Sequence, residues 1–287
     1  MQSRTEPFGE FALTGWRAAL HAFASAMPRH WAGKQMRSAV RRLALAGRPL
    51  PVDVAVLGGA RMRLYPDENL TDKHLFANPN HWDEAERKAV TEALAGCPRE
   101  LPVSFIDLGA NVGAYALMAV FAARAMGRAI RVLAIEPGSE ARRRMSFNVT
   151  ASGCGDAITV MGAAIGPAGS SWEIIAKARN LGELQLVPAS EPENQVPVSP
   201  LADVLMHSGF TRPDIIKIDI EGLESIVLHD YFNAVAPEAL PRLIIAETRG
   251  GRSLEIATLC AAAGYERLFD NGRNGAFLRM PASQTAR

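Results

Sequence analysis

The chain has 287 residues, of which 48% are hydrophobic and 21% charged, and its net charge is +1. That is the make-up of an ordinary globular protein, long enough for one large α/β domain with an appendage and not forcing two. The near-neutral balance carries no nucleic-acid signature, and three scattered cysteines without a C-x-x-C pair point away from a zinc site or a disulfide framework.

Residues 1–15 read as polar and irregular. From Trp16 to Leu45 apolar residues recur at helical spacing, with a break at Pro28. This stretch carries Arg17, Arg29, Lys34, Arg37, Arg41 and Arg42 and no Asp or Glu. Three roles stand open for it: a solvated arm packed on the domain, a lid over a site, or a contact with an anionic membrane surface or acidic partner. Residues 52–65 alternate apolar and polar about Gly58-Gly59, a β-hairpin pattern. Asp67 to Trp82 reads as a loop, flanked by Pro66 and interrupted by Pro79, and it brings His74 and His81 near any substrate. Asp83 to Ala95 reads as a helix with Asp83 as its cap and Gly96 at its end.

Val103 to Leu108 is a short apolar strand with Asp107 near its tip. Gly109 and Gly113 then punctuate a turn, and Ala114 to Met126 is helical. In an open parallel sheet such a turn lies at the carboxyl ends of the strands, where ligands bind. Glycine lets the backbone approach a ligand closely, and the helix start offers free N–H groups. The turn is not the dinucleotide pattern G-x-G-x-x-G, because Asn111 stands between the two glycines, and Asp107 suits a cationic ligand better than a pyrophosphate. Ile130 to Ile135 is the next buried strand and ends in Glu136-Pro137. A carboxylate at that tip, roughly 20 residues past the turn, commonly grips ribose hydroxyls.

Gly138 to Ala151 reads as a helix with Arg142, Arg143 and Arg144 in solvent. Ile158 to Ile165 reads as a third parallel strand. Between Gly166 and Pro200 two short strands are expected, at 172–176 and 183–187, followed by an exposed loop rich in Pro, Glu and Ser. This stretch is either a substrate-selecting insertion or a plain surface excursion. Leu201 to Ser208 is a short helix. Asp214 to Glu221 reads as a fourth parallel strand closed by Gly222, with a helix from Leu223 to Phe232. Leu243 to Glu247 is a fifth strand. Ser253 to Ala263 is a helix with Ser253 as cap and Gly264 after its end. Tyr265 to Asp270 and Ala276 to Met280 form a closing hairpin, and 281–287 a frayed tail.

Three runs carry a family resemblance: Asp107-Leu-Gly-Ala-Asn-Val-Gly, Ile135-Glu136-Pro137, and Ile216-Lys217-Ile218-Asp219-Ile220-Glu221-Gly222. In this order and spacing they resemble the FkbM family of S-adenosylmethionine-dependent methyltransferases, over about Val52 to Met280. The resemblance implies an α/β, class I methyltransferase, Rossmann-like fold. Its seven-stranded, mostly parallel sheet ends in a C-terminal antiparallel hairpin, in strand order 3-2-1-4-5-7-6. It implies S-adenosyl-L-methionine as cofactor, with Asp107, Gly109, Asn111 and Gly113 at the methionine end, Glu136 on the ribose and Ala163 beside the adenine. It implies O-methylation of a sugar, glycoside or polyketide-type hydroxyl. Glu84 and Glu86 resemble an acidic spot of the family, and Asn180-Leu-Gly falls at a family turn.

Asp219 and Glu247 each close a buried strand, and in the resembled fold those strands are neighbours roughly 5 Å apart. Two carboxylates so close either share a proton or hold a hard cation such as Mg²⁺. Glu221, two residues past Asp219, points to the same side of an extended chain. Asp219, Glu221, Glu247 and His81 are therefore the catalytic candidates, with Asp219 and Glu247 as the metal pair. The plain alternative is that these acids cap strand ends or pair with Lys217 or Arg249. A nicotinamide-dependent oxidoreductase and a non-catalytic cofactor-binding module remain as rival functions.

The expected organisation is a basic helical arm (1–50), a lead-in of hairpin, loop and helix (51–100), a core (101–280) with an insertion (166–200), and a tail. The expected partner is a small-molecule hydroxyl acceptor. No Asn/Asp-Pro-Pro-aromatic motif follows the fourth strand, so nucleic acid is not expected. No apolar run reaches bilayer length and no secretory leader is visible, so a cytoplasmic protein without an integral membrane segment is expected. Self-association into a homo-oligomer is left open.

Overall fold

A computed structural model describes residues 6–26, 31–48, 50–167, 172–176, 184–188, 191 and 196–280. The elements in chain order are α1 (Gly15–Ser25), α2 (Trp31–Leu45), β1 (Val52–Val56), β2 (Ala60–Leu64), α3 (Leu70–Ala77), α4 (Glu84–Gly96) and β3 (Val103–Leu108). They continue with α5 (Ala114–Ala125), β4 (Ile130–Ile135), α6 (Ser139–Ala151), β5 (Ile158–Met161), β6 (Ala164–Ile165), β7 (Trp172–Ala176), β8 (Leu184–Pro188) and β9 (Val198–Ser199). The last are α7 (Leu201–His207), β10 (Ile215–Ile218), α8 (Glu224–Ala234), β11 (Leu243–Glu247), α9 (Ser253–Ala262), β12 (Tyr265–Asp270) and β13 (Asn274–Arg279).

Seven strands form the central sheet in the order β12-β13-β11-β10-β3-β4-β5. Neighbours from β5 to β11 run parallel, and β13 is antiparallel to both β11 and β12. Reading outward from β5, this is the order 3-2-1-4-5-7-6. The chain runs β3, β4, β5 towards one edge and then returns to place β10 on the other side of β3. That reversal opens a crevice at the carboxyl ends of β3 and β10, where an open α/β sheet receives its ligand. Every residue of β3, β10 and β11 is buried, as strands covered on both faces require. Alternate residues feed two cores. Phe105 packs with Leu94, Leu117 and Val120 on one side, while Ile106, Ile216 and Ile218 pack with Leu228 and Tyr231 on the other.

The structure departs from the sequence reading in several places. The loop expected between Asp67 and Trp82 contains helix α3. Asn69 caps it, its side-chain oxygen accepting from the Asp72 N–H at 3.2 Å, and Leu75 and Phe76 are fully buried beneath it. The prolines bracket this helix and do not break it. The expected third strand divides: β5 stops at Met161, and Ala164–Ile165 turn away to pair with β9. The fourth strand is shorter than Asp214–Glu221, because Asp214 turns its carboxylate to the Ser104 N–H (2.8 Å) and Glu221 is left-handed at φ 53°.

The three arginines of α6 do not all face solvent. Arg144 is buried, paired with Glu68 at 2.5 Å and Glu140 at 2.8 Å, and its guanidinium lies 3.7 Å from the Tyr65 ring centre. Ser253 is the first helical residue and not the cap; its hydroxyl donates to Asp270. Asp83 occupies the cap position of α4 but in a left-handed conformation (φ 38°), with its carboxylate turned elsewhere. The two short strands expected between 172 and 187 are present as β7 and β8, the second shifted by one residue, and they pair antiparallel. The break at Pro28, the Asn180-Leu-Gly turn, most of the loop between 188 and 200 and the tail at 281–287 lie outside the described residues.

A buried clasp ties the N-terminal segment to the hairpin of β1 and β2. Arg63 forks onto Asp53 at 2.8 and 3.0 Å and donates to the carbonyls of Glu6 and Pro7, each at 2.9 Å. Its guanidinium lies between the Phe11 and Phe147 rings, 4.6 and 4.1 Å from their centres. Helices α1 and α2 pack on each other and on α3, where the His21 ring stacks on Phe76 at 4.4 Å. No described helix is long and apolar enough to cross a membrane.

Candidate functional site

A polar cleft opens at the carboxyl ends of β3, β10 and β11. It is walled by Asp107, Gly109, Asn111, Asp219, Glu221 and Glu247 from the strand ends, and by Trp82, Asp83, Tyr115, Lys217, Arg249 and Arg273 around them. Six of the residues singled out from sequence thus share one cleft, although they are drawn from positions up to 140 residues apart.

The turn after β3 is shaped by its glycines. Gly109 sits at φ 72° and a Cβ there would run into the carbonyl oxygen of Asp219, so only glycine lets β3 and the end of β10 approach. Gly113 (φ 84°) lies against Met145 and starts α5. Asp107 accepts from the Ala116 N–H at 3.0 Å, in the first turn of that helix. Burial lifts its pKa to about 7, against the opposing pull of Lys217.

Asn111 is left-handed at φ 51°. Its N–H donates to Glu136 at 2.8 Å, and its side-chain oxygen accepts from Asn69 at 2.7 Å, which links the turn to the cap of α3. Glu136 is buried. Its two oxygens take the N–H groups of Asn111 and Gly138, each at 2.8 Å. Burial raises its pKa and those two N–H donors oppose the rise. Each carboxylate oxygen keeps a further lone pair for a diol.

Lys217 is the buried centre of the acidic wall. Its ammonium stands 3.0 Å from Asp219 and 5.1 Å from the Tyr115 ring centre. Burial would push Asp219 up, but Lys217, helped by Arg273 and Arg249, more than offsets this and holds it below the ordinary carboxylate range. Glu247 goes the other way. Burial comes first, then the negative charges of Asp219, Glu224 and Glu221, and its pKa is raised to about 7. Arg252 (3.2 Å) and Arg249 (3.6 Å) flank it. Behind it Glu224, fully buried, accepts from the N–H groups of Ile220 and Gly222 and pairs with Arg252 at 3.3 Å. Asp219, Glu224 and Glu247 offer oxygens within 4.8 Å of one another.

Four candidates do not line this cleft: Gly113 and Glu136, which hold its turn from behind, and His81 and Ala163. His81 faces an adjoining cleft with Arg37, Arg41 and Lys73 and stands 3.4 Å from Glu84. Trp82, Asp83 and Arg273 line both clefts and divide them. Ala163 sits half-buried between β5 and β6, packed against the core below. Glu86, in α4, is buried and accepts from the amides of Asn271 (3.0 Å) and Asn274 (2.7 Å).

Sequence reasoning gave no site role to Trp82, Tyr115 or Arg273, and read Asp83 only as a helix cap. Asp83 accepts from the Tyr115 hydroxyl at 2.8 Å and pairs with Arg273 at 3.1 Å. Those three residues come from α4's entry, α5 and the final hairpin, and no spacing rule joins them. Lys217 had a readable signal: it lies two residues before Asp219 along β10 and shares its face.

A sequence profile of the methyltransferase FkbM domain matches residues 107–258. No curated protein matches the chain. Among solved structures, an S-adenosylmethionine-dependent methyltransferase from Agrobacterium tumefaciens is 12% identical, with 82% of this chain and 72% of that one covered and a TM-score of 0.47. A methyltransferase FkbM from Methylobacillus flagellatus KT is 19% identical at a TM-score of 0.41; the match covers 75% of this chain and 56% of that one. A precorrin-6y C5,15-methyltransferase from Geobacter metallireducens GS-15 is 14% identical at a TM-score of 0.38, covering 69% and 89%.

Proposed function

Because the chain belongs to the FkbM family of S-adenosylmethionine-dependent methyltransferases, we propose that it methylates a hydroxyl of a small-molecule acceptor, a sugar, glycoside or polyketide-type natural product, with Glu247 as the base. Membership of this family sets the nicotinamide oxidoreductase aside. One observation carries the reading: a carboxyl with a pKa raised to about 7 stands in the same cleft as the Gly109 turn. A neutral hydroxyl is a weak nucleophile, and a general base works best with a pKa near the working pH.

The residues present fit the cofactor. The backbone of the turn at Gly109, Ala110 and Asn111 lines the cleft with Asp107, its glycines let it pack against Asp219 and Met145, and Glu136 keeps acceptor capacity for a ribose diol. When bound, S-adenosylmethionine supplies an activated methyl group on a sulfonium. The chain's own task is to hold the acceptor oxygen in line with that methyl and to take its proton. Glu247 receives the proton. Asp219, ionised and anchored by Lys217, accepts a hydrogen bond that orients the acceptor, with Glu221 at the same rim. His81 is assigned to acceptor contacts in the adjoining cleft, and Ala163 to the edge of the adenine.

A divalent cation is the second reading. The oxygens of Asp219, Glu224 and Glu247 are close enough to share one. They already face Lys217, Arg249 and Arg252, which an incoming cation would have to displace. The metal-free base is therefore preferred, and turnover in EDTA should be undiminished.

Calorimetric titration with S-adenosylmethionine tests the premise. Glu136→Ala should weaken binding by about tenfold to a hundredfold, since a buried charged acceptor of this kind contributes about 1.5–3 kcal/mol. Wild-type protein that binds no S-adenosylmethionine would end the proposal. With an acceptor in hand, kcat/KM should rise with pH through an apparent pKa near 7, because Glu247 is competent only after losing its proton. A flat profile from pH 5 to 9 would remove Glu247 from the role.

A further inference from the structure

Helices that pack on a domain normally turn their apolar stripe inward. In α1 and α2 Ala44 and Leu45 do so, but the larger apolar side chains point outward. Trp16 and Phe23, two turns apart on α1, are 58% and 60% exposed, with Ala19 and Ala22 exposed between them. Met36 and Leu43, two turns apart on α2, are 49% and 53% exposed, with Ala39 exposed between. The polar residues look inward. Arg17 donates to the Ala46 carbonyl at 2.8 Å, His21 bonds the Phe76 carbonyl at 2.7 Å, and Arg37 is buried. Four of the nine large apolar side chains exposed among the described residues lie on these two helices, which makes a patch and not a scatter.

Charge selects what covers it. From Phe11 to Val52 there is no Asp or Glu, against seven Lys and Arg; Arg17, Arg37 and Arg41 are engaged with the protein, while Arg42 stands exposed on the outer face. Two copies related by a twofold axis would meet arm to arm and set cation against cation. An anionic lipid surface answers both features, taking apolar side chains at the acyl boundary and cations at the headgroups. Arg42 is exposed beside Leu43, and the Arg17 guanidinium lies 5.2 Å from the Trp16 ring centre. Helices of 11 and 15 residues are too short to span a bilayer. We propose that the outward face of α1 and α2 docks the protein flat on a membrane surface bearing anionic lipid.

Co-sedimentation of the full chain with lipid vesicles tests this. Vesicles of phosphatidylcholine mixed with phosphatidylglycerol should bind it at least about tenfold more tightly than phosphatidylcholine alone, and added salt should weaken the binding. The double variant Trp16→Ser/Phe23→Ser should lose about tenfold or more per ring removed, with S-adenosylmethionine binding retained. Lipids brominated along the chain should quench wild-type tryptophan fluorescence, and Trp16→Phe should bind vesicles yet show less of that quenching. This last comparison stands even if the double variant fails to fold. No binding to mixed vesicles would overturn the proposal. So would equal binding to both vesicle types. A concentration-dependent dimer that the double variant dissolves, without vesicle binding, would give the face to a second copy.

Discussion

Glu247→Gln should lower kcat by about 10²- to 10⁴-fold, the usual range for losing a general base, and leave S-adenosylmethionine affinity unchanged. The substitution keeps the side chain's size and one acceptor oxygen, which can hold Arg252, while the longer contact to Arg249 is given up. What disappears is a group that can take a proton near neutral pH. The same variant separates an enzyme from a cofactor-binding module, since a module would lose nothing. Asp219→Asn provides the check on sign. Removing that charge relieves the repulsion that helps hold Glu247 high, so the rising limb of the pH profile should move to lower pH. A limb that stays in place in Asp219→Asn and vanishes in Glu247→Gln would keep Glu247 as base but deny the coupling. Full activity in Glu247→Gln would transfer the proton to another group.

Arg63→Ala should cost about 3–5 kcal/mol of folding stability, the expected loss when one partner of a buried ion pair is removed and the other is left uncompensated. Both side chains are almost wholly buried, at 3% and 0% exposed. Among the described residues Asp53 would keep the N–H groups of Gly9 and Phe11 as partners, and two carbonyls and two aromatic rings would lose their cation. Denaturant unfolding measures it. The midpoint should fall with little change in the slope. A loss below about 1 kcal/mol, the scale of a surface pair, would mean that the clasp contributes no more than an exposed contact.

Much of this was readable because it depends on local periodicity. The buried runs at Val103–Leu108, Ile130–Ile135 and Leu243–Glu247 are strands with those bounds. Periodicity placed Asp219 and Glu247 each at the end of an apolar strand; that the two strands are neighbours came from the resembled fold, and β10 does lie beside β11. What escaped were effects that need a partner from elsewhere in the chain. Arg144 looks like a surface residue until Tyr65 and Glu68 arrive beneath it. The end of β5 is decided at Ala164, which finds a better partner in Val198 than in the sheet. Helix α3 is hidden for a different reason: Pro66 and Pro79 make the stretch look like a loop, and its one local signal is the cap residue Asn69 directly before Leu70.

The bond between Asn111 and Asn69 does more than brace a turn. Asn69 caps α3, α3 carries Phe76, and Phe76 holds His21 of α1. The turn at Asn111 and the outer arm are therefore joined by one short run of contacts. If a cofactor in the cleft favours one setting of Asn111 and the contacts carry it, it favours one setting of the arm. Thermodynamic reciprocity then requires the converse: whatever engages the arm must change cofactor affinity by the same factor.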